Sequence, residues 1–130
     1  MSDANGSTGR RGLLLVAHGS RRVAANAQVL RLAGDLRGRL AGDHFAKVQA
    51  GFLELAQPLI ADVVAEMVEA QVDVIVMLPY FLAAGRHVQQ DIPQVCAALR
   101  HRYPQLGFEI RDHLGAAPAM ADWLARLARD

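Results

Sequence analysis

The sequence has little cysteine, little net charge and no long hydrophobic run, and each shortage excludes a class of protein. The single cysteine among the 130 residues, Cys96, rules out an internal disulfide and favours a reducing, cytoplasmic compartment. The net charge of +1 gives no overall field that would attract nucleic acid or a membrane surface, so neither is expected as a partner. The longest apolar stretch, 72–82, is too short to span a bilayer.

Two common catalytic or binding motifs are also missing. No G-x-G-x-x-G follows the first apolar segment, where the turn reads His-Gly-Ser-Arg-Arg instead, which argues against a flavin or nucleotide module. No G-x-S-x-G surrounds Ser20, and neighbouring side chains seldom align a hydroxyl with an imidazole. Acyl hydrolysis by Ser20 with His18 is therefore not favoured.

Segment 1–11 is rich in Gly, Ser, Asn and Asp and has no apolar core of the kind found in signal peptides, so we expect a flexible tail. Residues 12–130 fit a single domain. In that domain, strand-like segments alternate with helix-like segments. The predicted strands are 13–17, 48–52, 72–78 and 108–110. The predicted helices are 23–40, one that begins at Pro58, one over 92–103, and one that opens at Pro118 and buries Met120, Trp123, Leu124 and Leu127.

This alternation predicts an α/β fold with a parallel sheet, right-handed crossovers and helices on both faces. The first and third strands are continuous apolar runs, which is typical of strands buried on both faces. The second and fourth alternate and should lie at the edges. The strand order 2-1-3-4, which is the flavodoxin-like winding, satisfies both conditions, and its ligand crevice lies at the carboxyl ends of strands one and three.

Three side chains of types that can bind a metal are expected at this edge of the sheet. His18 ends the first strand, His87 follows the third, and Glu54 ends the second. Because neutral imidazole is the commonest metal ligand in proteins, their convergence predicts a metal site. For Glu54 a structural role remains open, as a carboxylate that helps to cap the helix at Pro58.

The other histidines and the cysteine fit this site less well. His44 lies in a polar turn and His101 on a helix flank, so both are expected to be solvated. His113 follows the fourth strand, at the same edge but two strands away from the first. Cys96 falls on the apolar stripe of its helix and is expected to be a buried, inert thiol.

Three ordered sequence blocks resemble one enzyme family. They are VAHGSR at 16–21, GFLELAQP at 51–58 and PYFLAAGRH at 79–87, the last followed by DIP at 91–93. Together they resemble the short CbiX-type sirohydrochlorin chelatases of the class II chelatase superfamily. This resemblance runs from about Leu13 to Trp123.

The resemblance implies a lyase that inserts Co²⁺, or Fe²⁺ or Ni²⁺, into sirohydrochlorin on the routes to cobalamin or siroheme, with the metal as substrate and no organic cofactor. It implies that His18 is a metal ligand and proton acceptor, that His87 is the second ligand, and that Glu54 is catalytic and lines the tetrapyrrole. The remaining residues expected to contact the ring or its carboxylates are Ser20, Arg21, Leu82, Ala83, Ala84, Gly85 and Arg86.

Since one domain provides only half of the two-lobed cleft of longer chelatases, the resemblance also implies a homodimer with the ring bound between subunits. The alternative reading is a carrier on the same fold that binds a divalent metal through the same histidines without accelerating insertion.

Overall fold

The computed structural model describes residues 9–130 and contains four strands and four α-helices. The strands are β1 (Arg11–Ala17), β2 (Phe45–Phe52), β3 (Val74–Pro79) and β4 (Gly107–Ile110). The helices are α1 (Val23–Arg39), α2 (Ile60–Glu69), α3 (Ile92–Arg102) and α4 (Ala119–Arg129). A π-helical turn (His87–Asp91) precedes α3, and a short 3₁₀ turn (Leu114–Ala116) precedes α4.

All strand pairs are parallel and the order is β2-β1-β3-β4, which confirms the predicted flavodoxin-like winding. The burial of the strands explains this order, as the residue types predicted. Residues 13–17 of β1 are all buried, because helices cover this central strand on both faces. The edge strands β2 and β4 keep exposed positions.

Alternate residues of β1 point to opposite faces of the sheet and divide the core in two. Leu14 and Val16 pack with α2 and α3 in a cluster of thirteen buried residues. Leu13 and Leu15 pack with α1 in two smaller clusters of three buried residues each. The core is therefore thicker on the α2/α3 face than on the α1 face.

Several predicted boundaries were wrong. Strand β2 begins at Phe45 rather than residue 48. Helix α2 begins at Ile60 rather than Pro58, because the Pro58 carbonyl accepts a hydrogen bond from the Phe52 amide (2.9 Å) and Leu59 bridges to Phe52, which keeps 58–59 extended. Strand β3 begins at Val74 rather than residue 72, since the amide at 72 still donates to Met67 at the end of α2 (3.0 Å).

Another boundary that differs is the end of the N-terminal tail. Residues 1–8 of the predicted tail 1–11 lie outside the described residues. Arg11 already belongs to β1, and the Arg10 amide donates to the Asp73 carboxylate (2.8 Å). The sheet therefore begins two residues earlier than predicted.

The prediction that α4 buries Met120, Trp123, Leu124 and Leu127 was also wrong. No residue of α4 is buried, and Leu127 is 72% exposed. The apolar stripe correctly predicted a helix, but α4 makes its main contacts with the adjoining 3₁₀ turn rather than with the sheet. None of the helices in the part of the chain that the structure describes has the length and apolar character needed to cross a bilayer.

Candidate functional site

The candidate site lies where β1 and β2 end side by side. Their pairing continues beyond the last strand residues, because the Leu53 amide donates to the Ala17 carbonyl (2.9 Å) and the Glu54 amide donates to the His18 carbonyl (3.0 Å). The extended ladder brings His18 and Glu54 onto adjacent positions at the carboxyl edge of the sheet.

Gly19 allows this close approach. Its φ is +99°, and an added Cβ would lie 1.7 Å from the Glu54 carbonyl oxygen. A side chain at this position would collide with backbone that cannot move without breaking the ladder, and L-residues rarely adopt such a φ. The Gly19 turn therefore fixes the separation between His18 and Glu54.

Both ring nitrogens of His18 contact acceptors. Nδ1 lies 3.0 Å from the Gly19 carbonyl oxygen, which can only accept, so Nδ1 carries a proton. Nε2 lies 2.9 Å from Oε2 of Glu54. A hydrogen bond there needs a second proton, on the ring or on the carboxyl group. A divalent cation can replace that proton, because imidazole and carboxylate both coordinate metals once they are deprotonated.

His87 opens the π-helical turn before α3, and it follows β3 as the sequence predicted. Its Nδ1 donates to Oδ2 of Asp91, four residues later, over 2.7 Å. The Phe81 ring stacks near the His87 ring, with a centroid distance of 6.0 Å and an angle of 29° between the ring planes. With Nδ1 occupied, Nε2 is the nitrogen available to a metal.

The two imidazole rings lie close together, with centroids 4.2 Å apart and planes tilted by 37°. Both are partly exposed: the side chains of His18 and His87 are 33% and 41% exposed. They border an open cavity of about 370 Å³, whose lining is completed by Leu53, Glu54, Asp91, Gln94, Val95 and Ala98. The cavity thus combines imidazoles and carboxylates with an apolar wall.

This arrangement can hold a cation without enclosing it. Imidazole nitrogens suit cobalt, nickel and iron, and two of them leave coordination positions vacant for a second molecule. Within residues 9–130, no three His, Cys, Asp or Glu side chains are already set as a joint metal cage. The groups that could bind a cation here are the two imidazoles, each of which has a carboxylate beside it.

The predicted ring-contacting residues do not all reach this cavity. Leu82, Ala83, Ala84, Gly85 and Arg86 form an exposed segment that leads into His87 and lies outside the cavity lining. The segment is anchored where the Gly115 amide donates to the Phe81 carbonyl (3.0 Å).

Ser20 and Arg21 lie in the turn after His18, and they differ in what they contact. The Ser20 amide donates to the Asn26 side chain (2.9 Å), and the Ser20 hydroxyl accepts from the Arg22 amide (3.0 Å). Ser20 therefore holds the turn that starts α1. Arg21 is exposed beside it.

The structure separates the remaining histidines and Cys96 from the site. His44 and His101 are exposed, and His113 precedes the 3₁₀ turn on the α1 face, away from the imidazole pair. Cys96 is fully buried, and its thiol contacts the Met77 sulfur at 3.0 Å. Burial raises the pKa of the Cys96 thiol, and the nearby Arg100 opposes this with a smaller effect.

Sequence reasoning missed Asp91 as a site residue. The available signal was its spacing of four residues from His87, which places two side chains on one helical face. The sequence did predict Glu54 as a site residue. The alternative prediction, that its carboxylate helps to cap the helix at Pro58, was wrong. Helix α2 begins after Leu59 with no side-chain cap, and Glu54 contacts His18 instead.

Comparisons with known proteins agree on one family. The sequence model of the CbiX family matches residues 12–130. A sirohydrochlorin cobaltochelatase from Sulfolobus acidocaldarius is 39% identical over 82 residues, which cover 63% of this chain and 63% of that protein. A chloroplastic sirohydrochlorin ferrochelatase from Arabidopsis thaliana is 28% identical over 118 residues, which cover 91% of this chain and 51% of that protein. The chain thus spans less than two thirds of either relative.

A solved structure supports the same assignment. The sirohydrochlorin chelatase SirB from Bacillus subtilis subspecies spizizenii, in complex with cobalt, superimposes with a TM-score of 0.78 at 26% identity. The match covers 93% of this chain and 50% of SirB. The family match spans nearly the whole described domain, and the fold and sequence neighbours agree with it: the chain belongs to the CbiX family.

Proposed function

We propose that this chain is a sirohydrochlorin metal chelatase, a lyase that inserts a divalent cation into the tetrapyrrole. Co²⁺ is the first candidate, and Fe²⁺ and Ni²⁺ are the others. The observation that carries the proposal is the pair of imidazole rings, 4.2 Å apart and open to a cavity at the sheet edge. The names of the relatives support the substrate, since they are cobalto- and ferrochelatases of sirohydrochlorin.

Metal insertion exchanges two pyrrole N–H protons for one divalent cation, so the site must deliver a metal and remove protons. In the proposal, Nε2 of His18 and Nε2 of His87 hold the cation, while their Nδ1 atoms stay bound to Gly19 and Asp91. An open pair of ligands releases the cation to the macrocycle more readily than a closed four-ligand site would.

Glu54 is the first proposed proton acceptor, and Nε2 of His18 is the second, once the cation has left it for the macrocycle. In the metal-free protein they share a contact of 2.9 Å that needs a proton, and the arriving cation displaces it. The Glu54 side chain is 61% exposed, so it can pass protons to water. The released carboxylate then lies beside the position where pyrrole protons leave.

The tetrapyrrole is a flat ring with apolar faces and carboxylates at its rim. The cavity of about 370 Å³ is at the small end of the range for ligand sites, so it would cover only part of such a ring. We propose that a second copy covers the other face, in a homodimer. The exposed arginines Arg21 and Arg86 stand beside the site and are suited to bind the rim carboxylates.

The test is an insertion assay with sirohydrochlorin and a panel of Co²⁺, Fe²⁺ and Ni²⁺. His18→Ala and His87→Ala are compared with His44→Ala and His101→Ala, which remove exposed histidines elsewhere. We expect a rate loss of at least about 100-fold in the first pair and less than about twofold in the second. Equal rates in all four variants would contradict the proposal. Tight Co²⁺ binding with no acceleration over a protein-free control would identify a carrier instead.

A further inference from the structure

The segment that links β3 to His87 is held by hydrogen bonds on two sides before it becomes exposed. On one side, the Tyr80 amide donates to the Val16 carbonyl over 2.8 Å, at the end of the ladder between β1 and β3. On the other side, the Gly115 amide donates to the Phe81 carbonyl over 3.0 Å, from the 3₁₀ turn that follows β4. The segment that carries His87 is therefore attached to a turn that lies far along the chain.

Gly115 approaches this segment too closely for any residue that has a side chain. A Cβ atom at position 115 would lie 1.7 Å from the carbonyl oxygen of Leu82 and 2.6 Å from its carbonyl carbon. Both of these atoms belong to the backbone, so no change of rotamer relieves the collision. A side chain at position 115 would therefore push the segment away from the 3₁₀ turn.

Phe81 links this backbone contact to the candidate site. Its carbonyl accepts the hydrogen bond from Gly115, and its ring stacks near the His87 ring, 6.0 Å away between centroids. The Phe81 side chain is half-buried and packs against the core cluster on the α2/α3 face. Because the carbonyl and the ring belong to one residue, a shift of the Phe81 backbone also shifts the ring beside His87.

The π-helical turn needs such a support at its beginning. Asp91 orients the His87 ring, but it belongs to the same turn and moves with it, so it does not fix the distance from His87 to His18. At the end of the turn, Ile92 is buried in the core. At its beginning, where His87 lies, the stacked ring of Phe81 is the contact from outside the turn on the side of β3.

We propose that Gly115 is a positioning residue for the metal site. Its N–H group and its missing side chain hold Phe81 where the His87 ring faces His18 at a centroid distance of 4.2 Å. This inference rests on the proposed function, in which both rings hold one cation. Gly115 acts through Phe81 and not by contact with the metal or the tetrapyrrole, so the 3₁₀ turn beyond β4 contributes to a site at the end of β1.

The experiment compares Gly115→Ala with Gly12→Ala. Gly12 lies at the start of β1, at the opposite end of the strand from His18, and its added Cβ would lie 2.8 Å from the Met67 sulfur in the core. The control therefore crowds the fold without touching the site. Nuclear Overhauser effects between the rings of Phe81 and His87 are measured in the metal-free proteins, and Co²⁺ dissociation constants are measured by visible absorption.

We expect Gly115→Ala to lose the Overhauser effects between the two rings and to bind Co²⁺ at least about 10-fold more weakly, as for other residues that hold a metal ligand in place. Gly12→Ala should lower the free energy of unfolding, yet it should keep both the Overhauser effects and a Co²⁺ dissociation constant within about twofold of the unaltered chain.

A second measurement uses the unaltered chain and does not depend on the folding of a variant. If the Gly115 contact favours metal binding, bound metal must favour the contact in return. Hydrogen exchange of the Gly115 amide should therefore slow at least about fivefold when Zn²⁺ is bound. The control is the Asp43 amide, which donates to the Leu40 carbonyl (2.9 Å) in the turn between α1 and β2 and should slow less.

Three results would overturn the positioning role and leave the proposed function standing. Gly115→Ala binds Co²⁺ as tightly as the unaltered chain, or Gly12→Ala weakens Co²⁺ binding equally, or bound Zn²⁺ slows the amides of Gly115 and Asp43 to the same extent. An unaltered chain that binds no Co²⁺ would instead refute the proposed function, on which the positioning role rests.

Discussion

The Nδ1 atom of His87 lies 2.7 Å from Oδ2 of Asp91, and this contact orients the ring that borders the site. A carboxylate on one imidazole nitrogen fixes the tautomer, turns the other nitrogen outward and raises its basicity as a ligand. The π-helical turn brings the two residues together at the start of α3. His18 has a carbonyl group, that of Gly19, in the equivalent place.

Replacement of Asp91 should weaken metal binding without unfolding the protein. We expect Asp91→Ala to raise the Co²⁺ dissociation constant by about 10- to 100-fold, as for other carboxylates that hold a ligating histidine. Co²⁺ titration followed by visible absorption measures this. Asp35→Ala, an exposed change on α1, is the control. Asp91→Ala binding Co²⁺ as tightly as the control would show that the contact does not matter.

Gly19→Ala should damage both the site and the fold. The added Cβ would meet the Glu54 carbonyl at 1.7 Å, in a backbone conformation with φ of +99°. We expect the free energy of unfolding to fall by more than about 2 kcal/mol. In contrast, Gly34→Ala has open space around its Cβ in the middle of α1 and should raise stability by about 0.5–1 kcal/mol. Urea denaturation of both variants makes the comparison, and equal stability for the two would refute the steric argument.

Metal affinity should decrease as the solution is acidified. A cation must displace the proton between His18 and Glu54, and His87 must present an unprotonated Nε2. Lowering the pH from about 8 to about 5, the range in which histidines change charge, therefore favours the metal-free form. Co²⁺ dissociation constants at constant ionic strength test this. A constant affinity across the range would exclude both imidazoles as ligands.

Cys96 should be unreactive in the native protein. Burial raises the pKa of its thiol, so the folded chain keeps the proton at pH values where the unfolded chain, with a thiol pKa of about 8.5, releases it. The unfolded state then binds fewer protons, and the free energy of unfolding should fall as the pH rises above that value. Native protein should react with a thiol reagent only after urea unfolding, and the pH effect should disappear in Cys96→Ala. Rapid labelling of the native protein would show that the thiol is accessible.

The strand order was predictable because a strand buried on both faces can be recognised in the sequence as a continuous apolar run. Strand β1 is apolar at five consecutive positions, 13–17, which is typical of a strand buried on both faces. The convergence of His18, Glu54 and His87 followed from that order, because parallel strands end at the same edge. The hydrogen bond between Asp91 and His87 was missed because the predicted helix began at residue 92, so the helical turn His87–Asp91 that brings the two side chains together was not expected.

The position of α4 was not predictable for a different reason. An apolar stripe such as Trp123, Leu124 and Leu127 shows that a helix has one face to cover, but not which surface covers it. Intrachain packing is the ordinary outcome, and it was assumed. The exposed stripe shows that this assumption failed.

The most direct test is whether one cation binds both imidazoles. Protein labelled with ¹⁵N in its histidines is titrated with Zn²⁺, a diamagnetic ion that also favours imidazole ligands. The Nε2 resonances of His18 and His87 should shift together and saturate at one ion per chain, while their Nδ1 resonances and those of His44 and His101 stay nearly unchanged. If only one of the two rings responds, or the two saturate at different Zn²⁺ concentrations, the histidines do not share an ion.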